Sequence, residues 1–480
     1  MNLNRTFCVV LAATLLTGCA GLAQRSTEPL GAEGLAARGL NLPESWQAAG
    51  AAAVPAGTEQ LQAWWRSFND PTLTALVGQA LQANTTVRSA QIALQQARAQ
   101  QDLSRAGNLP AVGASAGAQN TDTQGASSRD TFRAGLDASW EPDVFGARRS
   151  GQQAADADAA AAEASLGNAR VSLAAEVALN LIDLRGLQLR RALAAQNLLA
   201  QQETLQITEW RVQAGLASSI DLEQARTATQ QTLAQLPALD NSINQVINQL
   251  AVLTGQAPGT LQAQLAAPSL QTLPTVPQPS GQLGFSFPAD TLRQRPDVRA
   301  SEDRIRAALA RVQQASAARY PSFSLSGSLG WGAATLGSLF DAAAFTRTLA
   351  ANVSAAVFDG GAREAQLRVQ EAGLAQAQTS YEAAVLAALR EVEDALRALS
   401  SSRERLQRLE AAEVSASNAA LLAAQRYASG LIDYRTVLDT QRSLIAVQSD
   451  LASTRAALSA DHVRLYKALG GGWTPDANGS

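Results

Sequence analysis

The sequence predicts an α+β membrane protein made of duplicated helix–β-hairpin–helix units. Three observations support this fold class. The two halves of the chain resemble each other at a nearly constant offset, and long runs without proline carry a helical repeat. Each half also contains an insert in which apolar residues recur at every second position, as they do in a strand.

The chain begins with the pattern of a secreted lipoprotein. Arg5 precedes an apolar stretch over residues 6–16, which is too short to cross a bilayer as a helix, and Leu16-Thr17-Gly18-Cys19 follows. This pattern is similar to a bacterial lipobox and predicts a signal peptide over residues 1–18 and a lipid such as palmitate on Cys19. Ala20, in place of an aspartate, fits sorting to the outer membrane. An ordinary signal peptide that leaves a free thiol, or a cytosolic start with a chance cysteine, are the alternatives.

An internal repeat organises the rest of the chain. Four residues recur 211 positions later: Leu81, Val87, Arg88 and Pro110 fall on Leu292, Val298, Arg299 and Pro321. Further along the offset is 215, where Glu176, Val177, Arg211, Gly215 and Leu216 fall on Glu391, Val392, Arg426, Gly430 and Leu431. The change lies inside the two inserts, so we expect the second insert to be four residues longer.

Long helices are predicted around each insert. No proline occurs between Pro142 and Pro237 or between Pro321 and Pro475, and both runs are rich in Ala, Gln, Leu, Glu and Arg. Apolar residues follow a 3.5-residue repeat in Val385, Leu389, Val392, Leu396, Leu399 and Leu406, which predicts left-handed coiled-coil packing. Residues 147–213 alone would form roughly 100 Å of helix. An ordinary helical bundle is the alternative, but bundle helices seldom run so long.

The inserts are predicted to be membrane strands. Phe323, Leu325, Leu329 and Trp331 alternate with serines, and a matching alternation ends at Trp140. Each strand has about 10 residues, enough to cross a bilayer when tilted. Trp140, Phe323 and Trp331 lie near strand ends, where an aromatic girdle belongs. A soluble antiparallel sheet with one wet face is the alternative.

Four strands cannot close a barrel, and an open sheet edge is not tolerated in lipid. The chain must therefore self-associate. Side chains fill the interior of an 8-stranded barrel, whereas the 12 strands of three copies leave room for a pore.

Composition argues against catalysis and nucleic-acid binding. The formal net charge is −3, the chain has one histidine, and its one methionine is the initiator. No catalytic constellation, phosphate-binding loop or metal site is evident, so we expect neither an enzyme nor a cofactor beyond the lipid. His462 has no nucleophile near it in sequence and is expected to be an exposed helix residue. A metal-ion exporter is a further alternative, but the mature chain has no methionine and a single histidine, so it offers no side chains for a metal relay.

Several motifs carry a family resemblance. They are Trp140-Glu141-Pro142-Asp143-Val144-Phe145-Gly146, Val357-Phe358-Asp359-Gly360-Gly361-Ala362-Arg363, Tyr427-Ala428-Ser429-Gly430, Tyr434-Arg435-Thr436-Val437-Leu438-Asp439-Thr440-Gln441-Arg442-Ser443 and Leu465-Tyr466-Lys467-Ala468-Leu469-Gly470-Gly471-Gly472-Trp473. Together they resemble the TolC family of outer-membrane efflux channels, in its lipoprotein branch that serves RND-type pumps. The resemblance covers nearly the whole mature chain.

The resemblance implies the assembly and its role. We expect a homotrimer with a 12-stranded β-barrel in the outer membrane, continued by a 12-helix α-barrel in the periplasm with an equatorial domain. Such a channel is the passive outer-membrane component of a tripartite efflux system for drugs or other toxic small molecules. Its partners are a periplasmic adaptor (membrane fusion) protein, an inner-membrane RND-type transporter and outer-membrane lipid. An exit duct for type I protein secretion, or a structural coiled-coil lipoprotein without a pore, are the alternatives.

The predicted segments follow the repeat. They are the signal peptide 1–18, an anchor and equatorial segment 19–65, the first-repeat helix 66–110, the first β-hairpin 111–141, the first long helices 142–255, a Pro-rich inter-repeat segment 256–290, the second-repeat helix 291–321, the second β-hairpin 322–358, the second long helices 359–469 and a tail 470–480.

A passive pore needs a gate, which we place at the helix turns. Gly215 and Gly430 interrupt the long helices at matching places, which favours turns. The resemblance implies that these turns form a periplasmic tip where the adaptor docks, at Gly215, Leu216, Gly430 and Leu431. It also implies a polar network that holds the tip closed, involving Tyr427, Asp439, Arg442, Asp221 and Glu223. An exposed ion pair or simple turn residues are the bland alternatives.

Overall fold

The computed structural model describes residues 46–47, 63–122, 128–266, 273–280, 292 and 294–473. The predicted signal peptide, Cys19 and most of the segments 19–65 and 470–480 lie outside these residues. Among the described residues, no helix combines the length and apolar character needed to cross a membrane.

The two halves contain matching elements. The first half has a 3-10 turn at Trp64–Phe68, α1 (Pro71–Ala83), α2 (Thr85–Ala106), β1 (Ala111–Thr121), β2 (Arg129–Trp140), α3 (Ala147–Gln213), α4 (Ser219–Leu253) and the short α5 (Gln262–Leu265). The second half has α6 (Pro296–Ala317), β3 (Ser322–Ala333), β4 (Phe345–Ser354), α7 (Ala362–Ala428) and α8 (Tyr434–Ala468). Helices α2 and α6 have 22 residues each, α3 and α7 have 67 each, and α4 and α8 have 35 each. The predicted duplication of a helix–hairpin–helix unit is confirmed.

The stretch predicted as one first-repeat helix, 66–110, contains two helices. Asn84 separates them: its side-chain oxygen accepts hydrogen bonds from the backbone N–H groups of Thr86 and Val87, which starts α2. Its side-chain amide donates to the carbonyl of Leu253 at 2.9 Å, at the end of α4. The break therefore comes from an N-cap that also ties α2 to a distant helix.

The predicted coiled-coil stripe lies in the core. Val392, Leu396 and Leu399 are buried in one hydrophobic cluster, and Leu389 and Leu406 pack against it. Val385 is buried as well. Because the four-residue and three-residue spacings keep these side chains on one face, the helix can stay in contact with its neighbour along its length. Pro237 lies inside α4 without ending it.

A second hydrophobic core joins the 3-10 turn at Trp64–Phe68 to the C-terminal part of α8. Trp64 stacks on Tyr466 of α8, with ring centroids 5.2 Å apart. After α8 the chain turns at Gly470, whose φ is +91°, and a Cβ there would lie 2.7 Å from the carbonyl oxygen of Gln294. A side chain at this position would therefore be both strained and obstructed.

The buried guanidinium of Arg295 joins α6, α7 and α8. It donates to Asp297 at the start of α6, to Glu391 of α7 at 2.8 Å, and to the carbonyl of Ala468 at the end of α8 at 2.8 Å. Burial alone would lower the pKa of Arg295, but the hydrogen bonds and charges of the two carboxylates raise it.

The expectation that His462 is exposed was wrong. Only 7% of the residue is exposed, because α8 is covered on this side by α7. Its Nδ1 lies 2.8 Å from the carbonyl oxygen of Leu458, and its Nε2 lies 3.4 Å from the guanidinium of Arg403. Burial lowers the pKa of His462. The sequence showed one polar residue on a helix but not which helix covers it.

The four strands form one antiparallel sheet in the order β1-β2-β3-β4. Direct partners share a face, so Ala114, Leu136, Leu329 and Arg347 lie in one row across the sheet. The side chains of this face are mostly apolar and exposed, including Val112, Leu136, Trp140, Leu325, Leu329, Phe345, Leu349 and Val353. The other face carries Ser, Gly and Asp residues such as Asp137. This sheet has two open edges, β1 and β4, as the self-association argument requires.

Candidate functional site

The two helix turns at Gly215 and Gly430 have the same construction. Both glycines adopt positive φ, +70° and +79°. The N–H of Leu216 donates to the carbonyl of Arg211 at 2.7 Å, and the N–H of Leu431 donates to that of Arg426 at 2.8 Å. These are Schellman motifs, which end a helix at a left-handed residue and therefore favour glycine.

The leucines that follow the glycines point outward. Leu216 is 70% exposed and Leu431 is 73% exposed. Ile220, in the first turn of α4, is also exposed. Helix α4 itself begins with a complete capping box between Ser218 and Asp221. The tip therefore presents apolar side chains on rigidly capped turns.

Tyr427 lies at the centre of the packing between the two turns. Only 3% of it is exposed, and its hydroxyl lies 3.0 Å from the hydroxyl of Thr208 on α3. Its ring contacts Tyr434 of α8 edge to face, with centroids 5.9 Å apart. The predicted gate residue Tyr427 thus joins α7 and α8 to the long helix of the first half.

Arg211 completes this junction from α3. Its guanidinium carbon lies 4.5 Å from the centroid of the Tyr427 ring, within range of a cation–π interaction. The same guanidinium donates a hydrogen bond to the backbone carbonyl of Tyr427. In the sequence, Arg211 is recognisable only as the repeat equivalent of Arg426, and nothing near it indicates this role.

Further polar contacts tie α3 to α8 above the tip. The side-chain amide of Gln441 donates to the hydroxyl of Thr204 at 3.1 Å, and that of Asn197 donates to Gln448 at 3.1 Å. Thr204 and Thr208 are buried on the same face of α3. Within one protomer, the first-half helix and the second-half helices are thus joined by a ladder of hydrogen bonds.

Asp221 and Glu223 already have partners within the protomer. Asp221 accepts hydrogen bonds from the N–H and hydroxyl of Ser218, at 3.1 and 2.8 Å. Glu223 accepts from Arg226 on its own helix at 3.0 Å, and Arg226 also reaches Glu209 of α3. Both predicted gate carboxylates therefore lie at the tip, but each is engaged locally.

Asp439 and Arg442 are exposed on α8, just above the turn. Neither makes a hydrogen bond or an ion pair with another described residue. The pKa of Tyr434 is raised to about 12, mainly by burial; Tyr427 and Asp221 also contribute to the rise, and the charge of Arg442 opposes it. Arg442 and Asp221 therefore both act on the hydroxyl of Tyr434, which places them in one electrostatic neighbourhood.

The predicted girdle residues lie at both ends of the strands. Phe323 packs with Phe145 and Trp140 donates to the carbonyl of Asn108 at 3.0 Å, both at the end nearest the helices. Trp331 lies at the loop end and contacts Phe345, with centroids 5.5 Å apart. From Phe323 to Trp331 the strand rises roughly 27 Å.

Comparison with known proteins identifies the architecture. The sequence profile of the outer membrane efflux protein family matches residues 76–256 and 287–471. The chain belongs to this family.

Full-length relatives support the assignment to the outer membrane efflux protein family. The chain is 30% identical over 483 residues to the pyoverdine export outer membrane protein OpmQ of Pseudomonas aeruginosa, with 98% of both chains covered. It is 28% identical to the cation efflux system protein CusC of Escherichia coli, with 97% of this chain and 98% of the relative covered. The solved structure of the outer-membrane channel OprN superposes with a TM-score of 0.79 at 33% identity, covering 90% of this chain and 99% of that one.

As a member of the outer membrane efflux protein family, the chain is an outer-membrane channel component of an efflux system. The predicted fold class is confirmed: the structural neighbours are trimeric channels in which a β-barrel continues into a helical barrel in the periplasm. Channels of this family work with adaptors and inner-membrane pumps, and the relatives are transport proteins rather than enzymes. The apolar face of the sheet accordingly meets lipid, and the Ser- and Gly-rich face lines the lumen.

Proposed function

We propose that this chain forms a homotrimeric conduit whose periplasmic tip is a gate, closed by contacts of Asp439 and Arg442 across the subunit boundary. The observation that carries the proposal is the state of these two side chains. They are exposed, oppositely charged and three residues apart on α8, yet neither is paired within the described part of the protomer. An acidic ring of Asp439 around the three-fold axis would add to the barrier.

The rest of the tip supports this assignment. Asp221 and Glu223 are engaged by Ser218 and Arg226, so each protomer satisfies its α4 carboxylates and leaves α8 charges to interact elsewhere. Tyr427 and Tyr434 pack beneath them and hold α8 against α7. Loss of the α8 charges should therefore open the tip without unfolding it.

Planar-bilayer conductance tests the gate. The double variant Asp439→Asn with Arg442→Gln should conduct more than the wild-type trimer. The matched control is Asp450→Asn with Arg405→Gln, which removes an exposed ion pair between α8 and α7 whose N and O atoms are 3.8 Å apart. Asp450 lies about 17 Å along α8 from Asp439. Equal conductance of the gate variant, the control and the wild type would rule the gate out.

The outward-facing leucines of the tip are the proposed adaptor contact. Leu216 and Leu431 lie on matching Schellman turns beside Gly215 and Gly430, so the trimer would present six such turns to a periplasmic adaptor. Replacing both leucines with glutamate should abolish efflux in cells while the isolated channel still conducts. Leu336→Glu, at an equally exposed loop position at the far end of the strands, is the control. Efflux that survives the double replacement would contradict the adaptor contact.

The inner-membrane partner is proposed to be an RND-type pump and the cargo to be small molecules. Relatives of similar identity are named for export of pyoverdine, toluene and cations, which fits a conduit that does not select its cargo. A strain that lacks the gene should become sensitive to dyes, detergents or drugs, and the wild-type chain should restore resistance. Loss of a secreted protein, without such sensitivity, would favour the protein-export alternative.

Lipid attachment at Cys19 is also proposed, from the lipobox alone. Cys8 leaves with the signal peptide, so Cys19 would be the remaining cysteine of the mature chain. Cells fed labelled palmitate should yield labelled wild-type protein and unlabelled Cys19→Ser protein. Label that persists in the variant would place the lipid elsewhere.

A further inference from the structure

One basic side chain lies on the apolar face of the sheet. Arg347 of β4 is the direct partner of Leu329 on β3. Because direct partners share a face, Arg347 projects between Phe345 and Leu349, which are exposed neighbours on its own strand. This is the face that meets lipid, where charged residues are rare.

Among the described residues of the protomer, no acidic side chain balances the charge of Arg347. It makes no hydrogen bond or ion pair with another described residue, although it is exposed. Asp130, an acidic residue on the same face, is occupied by the side-chain amide of Asn120 at 2.7 Å. An unpaired cation facing lipid is costly unless its head reaches the interface or binds an anion there.

The height of Arg347 determines which leaflet it faces. It lies two residues, roughly 7 Å, along the strand from Phe345. Phe345 packs with Trp331, and Trp331 packs with Phe340 of the β3–β4 loop, at centroid distances of 5.5 and 5.7 Å. This aromatic cluster marks the interface at the loop end of the strands, and the helices at the opposite end extend into the periplasm. Arg347 is therefore close to the headgroups of the outer leaflet.

We propose that Arg347 binds a phosphate group of a phosphorylated glycolipid of the outer leaflet (lipid A), whose acyl chains pack on the aromatic cluster of Trp331, Phe340 and Phe345. A guanidinium matches two phosphate oxygens with parallel N–H groups, which makes arginine suited to this role. The glycolipid would coat the barrel at one site in each protomer and stabilise the trimer. This site is separate from the gate and from the lumen.

The test uses the full-length trimer in phosphatidylcholine vesicles, with or without diphosphoryl lipid A, and measures the temperature at which the trimer dissociates. Lipid A should raise this temperature for the wild type, and dephosphorylated lipid A should not. Arg347→Gln should bind diphosphoryl lipid A roughly tenfold more weakly and lose most of the shift. Arg133→Gln is the matched control, since Arg133 lies on the luminal face of β2 opposite Gly332; it should keep the whole shift.

A second variant separates lipid binding from protein contacts. In vesicles without lipid A, Arg347→Leu should be at least as stable as the wild type, because it removes an unpaired charge from the lipid face. A less stable Arg347→Leu trimer in these vesicles would instead show an ion pair across the subunit boundary and overturn the proposal. An undiminished lipid A shift in Arg347→Gln, or an equal shift of the wild type with phosphatidylglycerol at equal charge, would overturn it as well.

Discussion

Arg211 joins the two halves of one protomer at the tip, so replacing it with methionine tests whether this junction holds the channel closed. Methionine keeps the length and apolar stem of the side chain but removes its charge and its donors. The backbone carbonyl of Tyr427 would lose the Arg211 guanidinium but would keep the N–H of Gly430 at 2.9 Å. The replacement therefore removes an attraction without leaving a buried acceptor unsatisfied.

The expected size of the effect follows from the contacts. A hydrogen bond from a charged group contributes about 1.5–3 kcal/mol, and a cation–π contact contributes about 0.5–2 kcal/mol. Since Arg211 is partly exposed, the lower ends apply, and about 2 kcal/mol in each protomer is a reasonable sum. If the contacts exist in the closed tip alone, their loss favours opening by about 30-fold for each protomer.

Single-channel recording in planar bilayers measures the open probability, and two further variants serve for comparison. Tyr427→Phe removes a hydroxyl 3.0 Å from that of Thr208, which still donates to the carbonyl of Thr204 at 2.8 Å, so its effect should be about tenfold at most. Arg226→Met removes an equal charge from the exposed surface of the same tip and should change little. The open probability should therefore rise most for Arg211→Met, less for Tyr427→Phe and hardly at all for Arg226→Met.

Two results would refute this reasoning. If Arg211→Met conducts like Arg226→Met, the junction is the same in open and closed channels and has no part in gating. If the variant lowers the temperature of trimer dissociation strongly while the open probability stays unchanged, the contacts stabilise the fold and not the closed state.

Three further predictions concern stability and pH. Arg295→Met should destabilise the protomer by about 2–3 kcal/mol, as measured by thermal unfolding in detergent. The loss is smaller than for a fully buried ion pair because the carboxylates of Asp297 and Glu391, left without their partner, are partly exposed to solvent. Burial holds the pKa of His462 below 6.5, so the unfolded chain takes up a proton first as the pH falls. The contribution of His462 to the free energy of unfolding should therefore be complete above pH 6.5 and decline below it, by at most about 1.4 kcal/mol per pH unit. His462→Gln should remove this part of the pH dependence. Gly430→Ala, at φ +79°, should cost about 1–2 kcal/mol and speed proteolysis at the tip, whereas Gly373→Ala, inside α7 with open space around it, should not.

The long helices and the sheet were readable because their signals are periodic and repeated. A stripe such as Val385, Val392 and Leu399 has one structural solution when no proline interrupts it for many turns. The strands were readable for the same reason, since alternation places Leu329 and Trp331 on one face whatever lies beyond the sheet. The helix break at Asn84 was missed although its capping hydrogen bonds to Thr86 and Val87 are local. The exposure of His462 was misjudged because its burial depends on Arg403 and the rest of α7, which are far away in the sequence.

The same distinction separates the parts of the tip. Gly215 and Gly430 were predictable because a left-handed helix end is a local requirement, and the structure gives both a positive φ. Arg211 carries no local signal, because an arginine in the last turn of a helix is also explained by the helix dipole. Its role depends on the ring and carbonyl of Tyr427, 216 residues later in the chain. The repeat places Arg426 at the position that corresponds to Arg211, but no aromatic ring lies beside Arg426 among the described contacts. The two halves of the tip are therefore not equivalent, since α3 carries the cation and α7 carries the ring. Movement of α7 against α3 must break this contact.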